Sequence, residues 1–87
     1  MSPQLQEGSM ATKVLNLTFP KKKIKEPLVY QIGHTFKVVT NIIKANVTSE
    51  YGWLLLEVEG DASEIEKASR YLAEKGIIVE DIEAEEN

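Results

Sequence analysis

The stretch TNIIKANVTSEYGWLLLEVEG, residues 40–60, constrains the fold of this chain more than any other. Two apolar runs flank a short polar break that holds one glycine, the pattern of a β-hairpin. One residue fits the pattern poorly. Asn41 opens the first run, where a plain strand favours a β-branched or aromatic side chain.

The segments on either side complete the order. Lys13–Phe19 alternates, with Leu15, Leu17 and Phe19 on one face and Val14, Asn16 and Thr18 on the other, which predicts a strand with one buried face. Pro20–Pro27 is a lysine-bearing loop between two prolines, and Pro27 suits the first position of a helix. Leu28, Ile32 and Phe36 then recur at helical spacing, interrupted by Gly33, which weakens the helix or lets something pack closely. In the hairpin, Ile43, Ala45 and Val47 are expected to share one face with Leu54, Leu56 and Val58 of the return strand. Ile42, Lys44 and Asn46 are expected on the other face, with Trp53, Leu55 and Glu57. Ser49–Gly52 is the expected turn.

Gly60–Gly76 is the clearest helix. Asp61 is placed to cap it, Glu64 stands three residues on as in a capping box, Ile65, Ala68 and Leu72 form the apolar stripe, and Gly76 is placed to end it. Ile77–Glu83 reads as a last strand. Residues 1–11 lack any hydrophobic period and are expected to be a disordered leader or tag remnant, with the domain over 12–84 and an acidic tail over 85–87.

The order β-α-β-β-α-β is the split βαβ, ferredoxin-like pattern of the α+β class: a four-stranded antiparallel sheet with both helices on one face. Right-handed crossovers give the strand order 4-1-3-2, which makes the second and fourth strands the edges. The face without helices then carries Val14, Ile42, Trp53 and Leu55. Four large apolar residues on neighbouring strands mark a contact surface, and a homodimer or a contact with a partner protein is the expected use.

Charge and composition exclude several functions. The net charge is −4, with Lys21, Lys22, Lys23 and Lys25 clustered early and Glu80, Asp81, Glu83, Glu85 and Glu86 late. An acidic domain with one lysine loop lacks the broad basic footprint that nucleic acid needs. No apolar run approaches the length that spans a bilayer. The chain has no cysteine and one histidine, His34, so neither a disulfide nor a zinc site is expected. No nucleophile motif, phosphate loop or converging acid–base pair is present, and an enzyme is not expected. A cytoplasmic location is expected, with no cofactor.

Asn41 has two readings. Its amide can cap a local turn at the entry to the second strand. Alternatively, a carboxamide with donors and an acceptor beside exposed Ile42 suits the head group of an amino acid.

Asn41-Ile42-Ile43 with the following KANV, then YGWLLLEVEG and ASRYLAEKGIIVE, resembles the NIL domain family, a branch of ACT-like ferredoxin-fold domains named for an Asn-Ile-Leu motif. The similarity runs from about Lys13 to Glu83. It implies two settings. In methionine-import ABC transporter ATPases the domain pairs with its copy, binds L-methionine at the pair and holds the transporter inactive. In NIL–ferredoxin fusions the domain is linked to sulfur incorporation into homocysteine. Carried over, the resemblance implies that Asn41 holds the amino-acid head group, that Ile42, Ile43 and Val47 form or adjoin the apolar wall, and that Phe36 and Val38 approach the same mouth. Val47 is shorter than a methionine-like side chain and widens the site. The expected function is a regulatory domain sensing a sulfur amino acid at a homodimer interface, with an ABC transporter ATPase or a ferredoxin-type protein as the partner. The alternative is a ligand-free interaction module that docks a ferredoxin-type or sulfur-transfer protein through the Trp53 and Leu55 face or the lysine loop.

Overall fold

The computed structural model describes residues 10–82. β1 (Met10–Pro20) leads through a 3-10 turn (Lys21–Lys23) to α1 (Leu28–Thr35). β2 (Val38–Val47) and β3 (Tyr51–Asp61) form the hairpin, followed by α2 (Ala62–Glu74) and β4 (Ile78–Asp81). All neighbouring strands pair antiparallel in the order β2-β3-β1-β4, the expected order read from the other edge. The fold is the ferredoxin-like α+β sandwich, with β2 and β4 at the edges.

β1 starts earlier than the alternation of side chains indicates. Met10 and Ala11, expected in the leader, pair with Asp61 and Gly60. The long partner strand β3 carries backbone groups that far, and pairing satisfies both sets. The rest of the leader and the acidic tail lie outside the described residues.

The core lies between the sheet and the helices. Leu15, Leu17 and Phe19 of β1 and Leu56 and Val58 of β3 meet Leu28 and Ile32 of α1 and Ile65, Ala68 and Leu72 of α2. Each fully buried leucine or isoleucine contributes about 1.5–3 kcal/mol relative to exposure. α1 ends at Thr35, so Phe36 is extended rather than helical, at φ −110° and ψ 158°. It packs edge-on against Tyr71 at 5.6 Å between ring centroids. Gly33 is exposed and nothing lies near the position of a side chain there, so it serves no close packing.

α2 is capped at both ends as expected, with one exception. Asp61 accepts a hydrogen bond from the Ser63 N–H at 3.1 Å, a cap contributing about 1 kcal/mol. At the other end Gly76 takes φ +91°. Its N–H donates to the Ala73 carbonyl, and that of Ile77 donates to the Leu72 carbonyl, the paired bonds of a Schellman motif. The exception is Glu64, which does not close a capping box. Its carboxylate reaches outside the helix.

The expected face of β2 is overturned in its first half. Ile42 stands opposite Leu56, and Thr40 opposite Val58, so both belong to the helix side of the sheet. A β-bulge between Ile42 and Lys44 leaves Ile43 without a cross-strand partner. Beyond it, Ala45 and Val47 return to the helix side, and Lys44 and Asn46 to the open side, as expected. The extra residue repairs a parity that strict alternation would break.

Candidate functional site

Every residue from Asn41 to Glu50 is exposed. The cause is geometric. α1 has eight residues and is about 12 Å long. β2 has ten and spans about 33 Å. The helix covers the start of β2 and leaves the rest as a bare edge strand. Val38 is buried in the core at that start. Ile42, Ile43 and Val47 keep 53%, 48% and 58% of their surface, which for an edge strand is an unusual apolar display.

The start of β2 is held by the contact that Glu64 makes. Its Oε1 accepts a hydrogen bond from the backbone N–H of Lys37 at 3.0 Å, and Lys67 approaches the other carboxylate oxygen at 3.2 Å. The Lys37 N–H, followed by the Lys67 ammonium, holds the Glu64 carboxyl below its ordinary range. Gly60 completes the junction. A side chain there would begin 2.7 Å from the Lys37 carbonyl oxygen and 3.3 Å from Val38.

The far end of β2 is closed by Thr48. Its hydroxyl oxygen accepts from the N–H groups of Glu50 and Tyr51 at 3.1 and 3.2 Å, and its own N–H donates to the Tyr51 carbonyl at 2.8 Å. The turn therefore lies at Thr48–Glu50. Gly52, expected in it, is a buried residue of β3 that pairs with both Val47 and Phe19. Beside this end lies an apolar cavity of about 170 Å³, bounded by Ile24, Pro27, Leu28 and Tyr30 on the α1 side and by Val47 and Leu54 on the sheet side. Sequence reasoning found Val47 and missed the others. Ile24, the one apolar residue inside the lysine loop, was the available signal.

The six candidate ligand residues do not converge within one protomer. Val47 lines the cavity. Phe36 sits against Tyr71 between the helices, and Val38 is buried. Ile42 faces the helix side of the edge. Asn41 pairs with Glu57 on the open face, roughly 20 Å along the strand from Val47 at about 3.3 Å per residue. Its side chain makes no hydrogen bond among the described residues, so it caps no turn there. The capping reading of Asn41 fails on this geometry. What remains is an exposed carboxamide beside an apolar edge.

The open sheet face holds Val14, Trp53 and Leu55, each half-buried, but not Ile42. Ile78 of β4, 58% exposed, joins them. Trp53 and Ile78 flank Thr18 in one row across the sheet. In the next row Asn16 stands between Leu55 and Glu80 and donates through Nδ2 to Glu80 Oε1 at 3.0 Å. His34 lies in the last turn of α1, stacked on Tyr30 at 5.6 Å. No helix among the described residues is long and apolar enough to cross a membrane.

Comparison with known proteins agrees with this fold. The sequence model of the NIL domain matches residues 13–81. The methionine import ATP-binding protein MetN 1 of Bacillus cereus is 33% identical over 72 residues, which cover 78% of this chain and 21% of the relative. MetN 1 of Listeria innocua is 32% identical over 84 residues, covering 91% and 25%. The chain thus spans about a fifth to a quarter of the length of these relatives. Among solved structures, the C-terminal domain of an ABC transporter ATP-binding protein from Enterococcus faecalis superposes with a TM-score of 0.71. It shares 24% identity, covering 80% of this chain and 82% of that one, a likeness of fold.

Proposed function

The chain belongs to the NIL domain family, and from that premise we propose that it is a regulatory domain that binds a sulfur amino acid, L-methionine or a close relative, between two copies of itself. The observation that carries the reading is the bare apolar edge from Asn41 to Val47. An edge strand with unpaired backbone groups and exposed Ile42, Ile43 and Val47 is a template for a second strand. The roughly 20 Å between Asn41 and Val47 is too long for one amino acid to bridge within a protomer. An antiparallel approach of two β2 edges shortens that distance, since it brings Asn41 of one copy level with Val47 of the other along the joined edge, Asn41 on the open face and Val47 on the helix side. The carboxamide then holds the amino and carboxylate groups, and Ile42, Ile43 and Val47 along the joined edge take the side chain.

Regulation follows from the same geometry. A ligand seated between two copies favours the arrangement of the pair that contacts it on both sides, and it shifts the population by its difference in affinity. The relatives that share this domain are methionine import ATP-binding proteins, and an ABC transporter ATPase is the partner we infer for this one.

A second reading, a ligand-free module docking a ferredoxin-type or sulfur-transfer protein, draws on the open face of Val14, Trp53, Leu55 and Ile78. One experiment separates the two. Amide shifts are followed as L-methionine, homocysteine, cysteine and leucine are titrated. Saturable shifts over Asn41–Val47 support the sensor. A flat response from the folded protein rejects it and leaves the interaction module.

A further inference from the structure

The amino-acid site leaves a concave, lysine-lined surface unused. The 3-10 turn of Lys21–Lys23 and the hairpin tip enclose a cleft of about 610 Å³, lined by Lys21, Lys22, Ile24, Lys25, Thr48 and Ser49. A cleft of this size accommodates a few residues of extended peptide. The turn is held in place. Pro20 precedes it, Pro27 ends the loop, and Ile24 packs against the core. The stem of Lys23 lies over Gly76, which brings the end of α2 and its Lys75 to the same pole of the molecule. In a protein of net charge −4 this is a local reversal of sign.

The lysines differ in how they are satisfied. Lys23 is paired with Glu26 at 3.2 Å. Lys21 faces Glu50 at 3.7 Å, a long pair with both side chains about 70% exposed, 68% and 72%. Lys22 and Lys25 have no carboxylate partner among the described residues. Glu50 is thus a carboxylate at the lip of the cleft, held loosely by one of several ammonium groups.

We propose that this cleft docks an acidic segment of another protein, in which carboxylates flank one apolar side chain. The carboxylates meet Lys21, Lys22 and Lys25, and the apolar side chain sits on Ile24. Charge complementarity sets the class of partner. A polynucleotide is repelled by the acidic remainder of the domain, and it needs a basic track longer than one turn. An anionic bilayer presents a flat surface to a concave one. Glu50 competes for Lys21 and so weakens docking. The inference stands apart from the amino-acid site, because Ile24 is the one residue that lines both cavities.

The test uses the whole chain and a fluorescein-labelled peptide of about eight residues, glutamates around a central leucine. The expected result is saturable binding in about 50 mM salt that weakens roughly tenfold by about 300 mM, with amide shifts at Lys21–Lys25 and Thr48–Ser49. Lys22→Glu with Lys25→Glu should weaken it at least about tenfold, and Glu50→Gln should tighten it about two- to threefold. A dispersed amide spectrum from each exposed-site variant establishes that it is folded. The proposal is overturned by unchanged affinity in the double variant or by shifts centred elsewhere. Tighter capture of a single-stranded oligonucleotide or of phosphatidylserine vesicles than of the peptide also overturns it.

Discussion

Glu64 Oε1 and the Lys37 N–H, 27 residues apart in sequence, are joined by a hydrogen bond of 3.0 Å that fastens the first turn of α2 to the link between α1 and β2. The bond satisfies a backbone donor that no strand or helix reaches, at the point where the chain enters its exposed edge. It favours the ionised carboxylate, so the folded state holds Glu64 below its ordinary pKa.

The sign of the linkage follows. A lowered folded-state pKa contributes stability above the unfolded value, and that stability is lost as pH falls through the folded value. Thermal midpoints of the native protein should therefore decline from the ordinary glutamate range downward. Glu64→Gln keeps an acceptor for the Lys37 N–H but not the charge, so the Glu64 share of that decline should vanish. Glu64→Ala should also speed hydrogen exchange of the Lys37 amide. An unchanged acid slope in Glu64→Gln would refute the assignment.

Asn41→Ala tests the site. The side chain has no intramolecular partner among the described residues and is exposed, so the thermal midpoint should stay within the range of about ±0.5 kcal/mol typical of such surface changes. Amino-acid affinity should drop about tenfold, the loss of a hydrogen bond to a charged head group. Calorimetry of folding and of binding on the same sample decides it. A destabilised variant with intact affinity would place Asn41 in the fold instead.

Ile43→Glu should separate assembly from folding. Ile43 has no cross-strand partner and is 48% exposed. The monomer should lose little stability, while a charge on the edge strand should oppose strand-to-strand association. Sedimentation of the variant at matched concentration gives the answer. A dimer that persists would move the interface to the open face of Trp53 and Ile78.

Leu17→Ala and Gly60→Ala probe the scaffold. Leu17 is fully buried, and its truncation should cost about 2–5 kcal/mol. Gly60→Ala brings a methyl group to 2.7 Å from the Lys37 carbonyl oxygen, and should cost about 1–3 kcal/mol through forced backbone shifts. Denaturant midpoints measure both. A neutral Gly60→Ala would mean that the junction around Lys37 gives way freely.

The element order, the strand order and the core of β1, β3 and α2 were legible from alternation and helical spacing, because those elements bury one face each. Three things were not. The bulge at Ile43 left no mark in the sequence, since Ile42 and Ile43 are both apolar and either suits a buried face. Glu64 stood at the spacing of a capping box, and a donor 27 positions away took its carboxylate. The cavity walls came from a loop, α1 and β3, whose meeting is a property of topology rather than of any local pattern. For the site, Val47 was expected on the face that the helices cover and is instead exposed, because α1 is too short to reach it, and its separation from Asn41 along the strand appears only in three dimensions.

The exposed course of β2 also bears on how such a domain diversifies. Residues 41–47 support no part of the buried core. Substitutions there alter what the edge meets without disturbing what keeps the chain folded. Selection can therefore explore new ligands along this strand while the scaffold beneath stays constant, and specificity becomes a trait that is inherited separately from stability.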